Sequence, residues 1–269
     1  MPILTANAVL SAVQQKLRKF YGKNSCNRRG EIGRPGYPVE TTKIDKEIIR
    51  LTGKSRPKLL FLPTASSDSE DYFEVVKKHF GRTLGCYVDV LYTIRENPSI
   101  REMEKKVFCS DIVYVGGGNT LKMMSKWREC GLDKILVKAY EKGIVLSGVS
   151  AGAVCWFRSA NSDSRKMNNP DADYIKVRGL NLVNLLFCPH YYTEKDRKPG
   201  LKRMMKKTPG IAIAVDDCCA LEIIDDKYRI VRSKSSANAY RVYWKAGKFY
   251  HEKIKKTKKF AGLDNLLKK

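Results

Sequence analysis

Ser150 sits in Gly148-Val149-Ser150-Ala151-Gly152-Ala153, where five of the six residues are small. The window follows the apolar run Ile144-Val145-Leu146-Ser147 and opens another apolar segment. This is the G-x-S-x-G pattern of a nucleophile elbow. Small neighbours permit a tight, strained strand-to-helix turn that lifts the serine Oγ to the sheet edge. The same turn places the next backbone N–H, that of Ala151, beside a reacting carbonyl. A tight turn with an incidental serine is the competing reading.

A serine alcohol needs a base, and the chain has only three histidines. His79 lies in the charged segment Glu74–Phe80, and His251 sits beside a basic tail. His190 follows the apolar run Leu185-Leu186-Phe187-Cys188-Pro189 and precedes Tyr191-Tyr192, which suits a loop at a strand end. His190 is therefore the expected base. A carboxylate should hold its imidazole in the right tautomer. Asp163, in the polar loop Asn161-Ser162-Asp163-Ser164, is the expected acid, with Asp171, Asp173 and Glu222 as competitors.

A second glycine turn, Gly116-Gly117-Gly118-Asn119-Thr120, follows the buried run Asp111–Val115. Such turns also bind phosphates. This one lacks both the GxGxxG spacing and the P-loop lysine, which argues against a nucleotide site.

The elements that must carry these turns alternate from residue 57 onward. Strands are expected at Lys58–Leu62, Tyr87–Tyr92, Asp111–Val115 and Ile144–Ser147. Helices are expected at Glu70–Phe80, Ile100–Val107, Thr120–Trp127 and Asp133–Lys142. Continuous apolar strands separated by helices predict an α/β fold, a doubly wound and mostly parallel sheet with helices on both faces. The C-terminal third turns strand-rich. Extra strands are expected at Ile211–Val215, Ala220–Ile224 and Tyr228–Val231, with a hairpin around Ala246-Gly247. No linker or repeat interrupts residues 30–269, which read as one domain.

Residues 1–29 are atypical. Gly30-Glu31-Ile32-Gly33 should follow a buried strand, yet Gly22-Lys23-Asn24-Ser25-Cys26-Asn27-Arg28-Arg29 reads as no strand. Codons for Phe20–Arg29, read one base later, give Phe-Met-Gly-Lys-Ile-Val-Ala-Ile-Gly-Gly. That string supplies a start methionine, a buried strand and a glycine turn together. The expectation is an out-of-frame reading over residues 1–29, from a sequencing indel or a real frameshift, with an ordinary basic extension as the alternative.

No apolar stretch has the length of a membrane span, and the N-terminus lacks a secretory-signal pattern. A cytoplasmic protein without membrane association is expected. The eight cysteines include no CxxC pair and several lie in apolar runs, so free buried thiols and no metal are expected. A net charge of +24 raises nucleic acid as a partner. The lysines, however, are spread beside glutamates and cluster only near Lys253–Lys259, without a nucleic-acid-reading motif. Nucleic acid is not the expected partner.

Val115-Gly116-Gly117-Gly118-Asn119-Thr120, Gly148-Val149-Ser150-Ala151-Gly152-Ala153 and Cys188-Pro189-His190 together resemble the peptidase E family of serine peptidases. That family is related to cyanophycinase and shares the class I glutamine amidotransferase-like fold. The resemblance spans residues 30–250. It implies a triad in the chain order serine, acid, histidine: Ser150, Asp163 and His190. It also implies an oxyanion hole from the N–H groups of Gly118 and Ala151, and no cofactor. In amidotransferases of this fold the elbow residue is cysteine; Ser150 here argues against glutamine hydrolysis, and Cys155 lies past the elbow. The implied substrate is a small peptide or related amide, with cleavage after an N-terminal aspartate as the family's best-known activity. That specificity needs a cation, and Arg158, Arg165 and Arg178 lie in suitable loops without matching a family position. The competing function is a non-catalytic binding protein on the same fold, contacting nucleic acid through its basic surface. Oligomeric state is open, a homodimer being one option.

Overall fold

The computed structural model describes residues 32–33, 35–257 and 259–268, and the backbone of residues 19–24. Fourteen strands in this part of the chain form two sheets. The first contains Lys19–Asn24 (β1), Lys58–Leu62 (β2), Tyr87–Val90 (β3), Ile112–Val115 (β4), Val145–Val149 (β5), Cys219–Ile224 (β10), Lys227–Arg232 (β11) and Ala261–Gly262 (β14). The second contains Phe157–Ser162 (β6), Ile175–Arg178 (β7), Val183–Cys188 (β8), Ala212–Val215 (β9), Ala239–Lys245 (β12) and Lys248–Lys253 (β13). Their orders are β14-β11-β10-β1-β5-β4-β2-β3 and β13-β12-β9-β8-β6-β7. β1 to β5 run parallel to one another, as do β6, β8 and β9. The remaining pairs are antiparallel.

Side-chain alternation explains the layers. Leu59, Phe61, Ile112, Tyr114, Val145 and Val149 join Ile44 and Ile48 of Thr42–Arg50 (α1), and Val76 of Glu70–Val76 (α2), in one core. Leu60, Leu62, Val113, Val115 and Leu146 face the other way. They meet Met103 and Val107 of Ile100–Phe108 (α3), Met123 and Trp127 of Thr120–Cys130 (α4), and Leu136 of Leu132–Glu141 (α5). Inward residues of the second sheet, such as Phe157, Phe187 and Ile213, belong to this same core. The outer face of the second sheet is covered by Leu201 and Met205 of Arg197–Lys206 (α7), which follows the short helix Ala151–Val154 (α6) in the chain. The parallel α/β sheet with helices on both faces is thus present, with the C-terminal strands split between two sheets.

Local chemistry sets the helix starts. Ser99 and Glu102 form a reciprocal capping box at α3. Asn119, closing the glycine turn, caps α4 by accepting from the Lys122 N–H at 3.0 Å. The expected helix Glu70–Phe80 is α2 continued by π-helical turns over Lys77–Thr83.

Two expectations are corrected. Gly22–Arg29 reads as no strand, yet Gly22–Asn24 ends the strand Lys19–Asn24, which pairs with β5 on one side and β10 on the other. Ladder bonds use only backbone groups, so a slot in mid-sheet can be filled by a chain of poor strand composition. The rest of residues 1–29 lies outside the described residues, as does most of the frameshift reading. Among the cysteines, Cys86, Cys109, Cys130, Cys155, Cys188 and Cys219 are free thiols, but Cys218 is disulfide-bonded. Sequence spacing carried no sign of that bond.

Candidate active site

Ser150 stands between β5 and the short helix Ala151–Val154 (α6) with φ 53° and ψ −114°. A positive φ on a residue with a Cβ is strain held by its surroundings, here the close approach of two backbones. A Cβ on Gly152 would lie 2.1 Å from the Val115 carbonyl oxygen at the end of β4. Only glycine lets the elbow pack there.

The first glycine turn faces this serine. A Cβ built on Gly117 would lie 3.3 Å from Ser150 Cβ. The Gly116 N–H donates to the Leu62 carbonyl, the Gly117 N–H to Tyr72 Oη, and the Asn119 N–H to the Ala65 carbonyl. The Gly118 N–H has no acceptor among the described residues. Gly118 has φ 142°, and a Cβ there would meet the Ala65 carbonyl oxygen at 2.1 Å, so this turn also requires glycine.

His190 follows β8 and is 6% exposed, with φ 52°. Its Nε2 lies 3.0 Å from Ser150 Oγ, and its Nδ1 lies 2.7 Å from Asp217 Oδ1. Thr193 Oγ1 donates to Asp217 Oδ2 at 2.6 Å. Asp217 occupies the turn between β9 and β10. Its neighbour Asp216 anchors that turn by accepting from the Asn238 N–H at 3.0 Å. Burial, the largest influence, raises the Asp216 pKa above the ordinary Asp value, against the bonds from Asn238 and Tyr240.

The expected acid, Asp163, is not at the imidazole. It lies 3.7 Å from the buried guanidinium of Arg197, and Asp217 takes the place on His190 Nδ1. The chain order of the three side chains is therefore serine, histidine, acid. Of the competitors, Asp173 pairs with Arg203 at 3.0 Å, Glu222 is buried against Arg229 at 2.7 Å, and Asp171 is exposed. Asp217 escaped the sequence reading because the β9–β10 turn brings it from 27 residues beyond His190. The available signal was the Asp216-Asp217 pair directly after a buried apolar strand.

The other histidines lie elsewhere. His79 is buried with Nε2 2.8 Å from Asp45 Oδ2, and His251 stacks on Tyr240 with ring centroids 4.6 Å apart. Burial and then Lys198 lower the His251 pKa. Cys155 is fully buried, its Sγ 3.2 Å from the Gly152 carbonyl, and burial raises its pKa well above the ordinary thiol value. It has no access to the elbow's outer side.

Ser150 and His190 line a cavity of about 1200 Å³ together with Gly117, Gly118, Tyr72, Asp163 and Glu194. Lys78 and Arg82 line it as well, whereas Arg158, Arg165 and Arg178 do not. Among the described residues, no cluster of three or more His, Cys, Asp or Glu side chains is placed to hold a metal. No helix among them is long and apolar enough to cross a membrane.

Residues 37–231 match Peptidase family S51. The chain belongs to peptidase family S51. It is 36% identical over 215 residues to the uncharacterized peptidase YgaJ of Bacillus subtilis, covering 78% of this chain and 90% of that protein. It is also 29% identical over 144 residues to peptidase E of Streptomyces coelicolor, covering 53% of this chain and 54% of that protein. The crystal structure of a peptidase from an acI-B1 Actinobacterium superposes with a TM-score of 0.69 at 18% identity, covering 93% of this chain and 99% of that one, a likeness of fold. This S51 member is accordingly an enzyme, a serine peptidase of the peptidase E type.

Proposed function

We propose that this peptidase hydrolyses small peptides or related amides through an acyl-enzyme on Ser150, with His190 as base and Asp217 as its orienting acid. One observation carries the reading: the unbroken hydrogen-bond series from Ser150 Oγ through both nitrogens of His190 to Asp217. Ser150 Oγ attacks the carbonyl carbon while His190 Nε2 takes its proton. Asp217 accepts from Nδ1–H and stabilises the imidazolium. The developing oxyanion is met by the Gly118 and Ala151 N–H groups, whose donors are set before the reaction begins. His190 returns the proton to the leaving amine. It then activates a water that hydrolyses the ester and frees Ser150.

Dipeptides with an N-terminal aspartate are the finer substrate reading. Lys78 and Arg82 are the described cavity-lining cations that would meet a substrate carboxylate. A dipeptide panel led by Asp-X substrates, assayed by amine release, tests both levels. Turnover that disappears in Ser150→Ala is expected, and undiminished turnover in that variant would overturn the mechanism. Equal turnover whatever the first residue would reject the aspartyl preference.

A further inference from the structure

The oxyanion donor Gly118 closes a run of three glycines, Gly116-Gly117-Gly118. Packing leaves no room for a side chain at two of them. A Cβ on Gly116 would lie 2.9 Å from Tyr72 Cε1, and one on Gly118 would lie 2.1 Å from the Ala65 carbonyl oxygen. Glycine relieves both contacts, but it brings more backbone freedom than any other residue. A donor that is set before the reaction begins therefore needs its peptide held from outside the turn.

On one side the Asn119 N–H donates to the Ala65 carbonyl at 2.8 Å, which fixes the peptide after Gly118. On the other side the Gly117 N–H donates to Tyr72 Oη at 3.3 Å, which fixes the peptide before it. The peptide between them carries the Gly118 N–H and is held at both ends. Among the described residues, Tyr72 is the one side chain that accepts from an N–H of Gly116–Gly118, and no backbone carbonyl accepts from Gly117. The tyrosine is itself fixed. It lies in the first turn of α2, where its own N–H donates to Ser69 Oγ at 3.2 Å. Its ring meets Phe61 of β2 edge to face, with centroids 5.1 Å apart and planes at 70°. A phenylalanine would supply that packing equally well. What the hydroxyl adds is an acceptor for Gly117, inside the cavity that Tyr72 lines together with Gly117, Gly118 and Ser150.

We propose that Tyr72 is a positioning residue for the oxyanion hole: its hydroxyl, by accepting from the Gly117 N–H, keeps the Gly118 N–H turned toward the carbonyl oxygen of a substrate at Ser150. This rests on the acyl-enzyme reading of Ser150 and adds a residue to it. Without the hydroxyl, the Gly117 N–H loses its acceptor and the glycines offer little resistance to peptide rotation. The Gly118 N–H then spreads over orientations of which only some meet the oxyanion. Removing an oxyanion donor outright costs about 10²–10³-fold in rate. Losing its orientation costs less, about tenfold, the scale of one hydrogen bond.

The test is the rate at which a fluorophosphonate, whose phosphoryl oxygen enters the oxyanion hole, labels full-length wild type and Tyr72→Phe across pH. The rate constant comes from the time course and the competent fraction from its amplitude, so partial unfolding does not disguise the answer. Tyr72→Phe should react about tenfold more slowly, the scale of one hydrogen bond. The midpoint of its pH–rate curve should match wild type, because the series Ser150–His190–Asp217 is untouched. A wild-type rate in Tyr72→Phe would overturn the proposal, and so would a shifted midpoint, which would mean that the hydroxyl acts through His190. A second measurement needs no variant. By amide hydrogen exchange in the wild type, the Gly117 N–H should be protected before and after labelling, and the Gly118 N–H only after it. A Gly117 N–H that exchanges freely would overturn the proposal. The acyl-enzyme reading fails differently, by wild type taking no label or Ser150→Ala keeping it, and this proposal then falls with it.

Discussion

Thr193 Oγ1 donates to Asp217 Oδ2 at 2.6 Å, while the other oxygen of the same carboxylate faces His190 Nδ1 at 2.7 Å. Thr193 and His190 come from one loop and grip one carboxylate delivered by another, the β9–β10 turn. The threonine fixes the rotation of the Asp217 carboxylate, and so the direction in which the imidazole points.

Thr193→Val should therefore lower kcat by about tenfold, the scale of a lost charge-assisted hydrogen bond, with KM little changed. Thr193→Ser, which keeps the hydroxyl, should retain most activity. Steady-state kinetics of both variants check this; equal losses in the two would mean that packing, not the hydroxyl, matters.

Asp217 and Asp163 should separate cleanly by substitution. Asp217→Asn leaves a group of the same shape that does not hold the productive tautomer, and losses of about 10³-fold or more in kcat are expected. Asp163→Asn, which alters a carboxylate beside Arg197 and not at the imidazole, should lower kcat far less. The two kcat values, measured on one substrate, decide which carboxylate serves His190.

How much of this was legible in the chain depends on how local each signal is. The elbow at Ser150, the turn at Gly116–Gly118 and the position of His190 after an apolar run are each written within about six consecutive residues, and strand-to-loop boundaries are local chemistry. Asp217 is not local. Its selection over Asp163 depends on how β9 and β10 are distributed between two sheets, and both carboxylates follow a buried strand. The pairing of His79 with Asp45 was hidden for the same reason: 34 residues separate them, and only the packing of α1 against the π-helical turn joins them.

The first strand shows the reverse case, a slot in the fold for which the local sequence is a poor match. β1 lies between β5 and β10 in mid-sheet, yet its sequence is Lys19-Phe20-Tyr21-Gly22-Lys23-Asn24. Replacing residues 20–29 with Phe-Met-Gly-Lys-Ile-Val-Ala-Ile-Gly-Gly puts β-branched residues at positions 24, 25 and 27, so that a shift in register toward Gly30 would carry them into the slot that Lys19–Asn24 occupies. For a chain of this size, a gain of about 2 kcal/mol should raise Tm by roughly 5 °C. Thermal melting of the two forms checks it, and a lower Tm for the replacement would count against the out-of-frame reading.

Acid stability should carry the mark of Glu194. Its pKa is lowered on folding from 4.5, so its contribution is complete above that value and is lost as pH falls through the depressed folded value. Glu194→Gln should flatten this part of the Tm-against-pH curve below about pH 4.5. An acid limb identical to wild type would show that Arg197, whose Nη2 lies 2.9 Å from Glu194 Oε2, does not depend on Glu194 for its charge balance.

Every other role at this site depends on Ser150 being an activated nucleophile. Labelling the full-length protein with a fluorophosphonate and mapping the adduct by peptide mass spectrometry tests it most directly. A single adduct on Ser150, lost in Ser150→Ala and strongly slowed in His190→Ala, is the predicted result. Folded wild-type protein that takes no label, or takes it elsewhere than Ser150, would rule out Ser150 as the nucleophile.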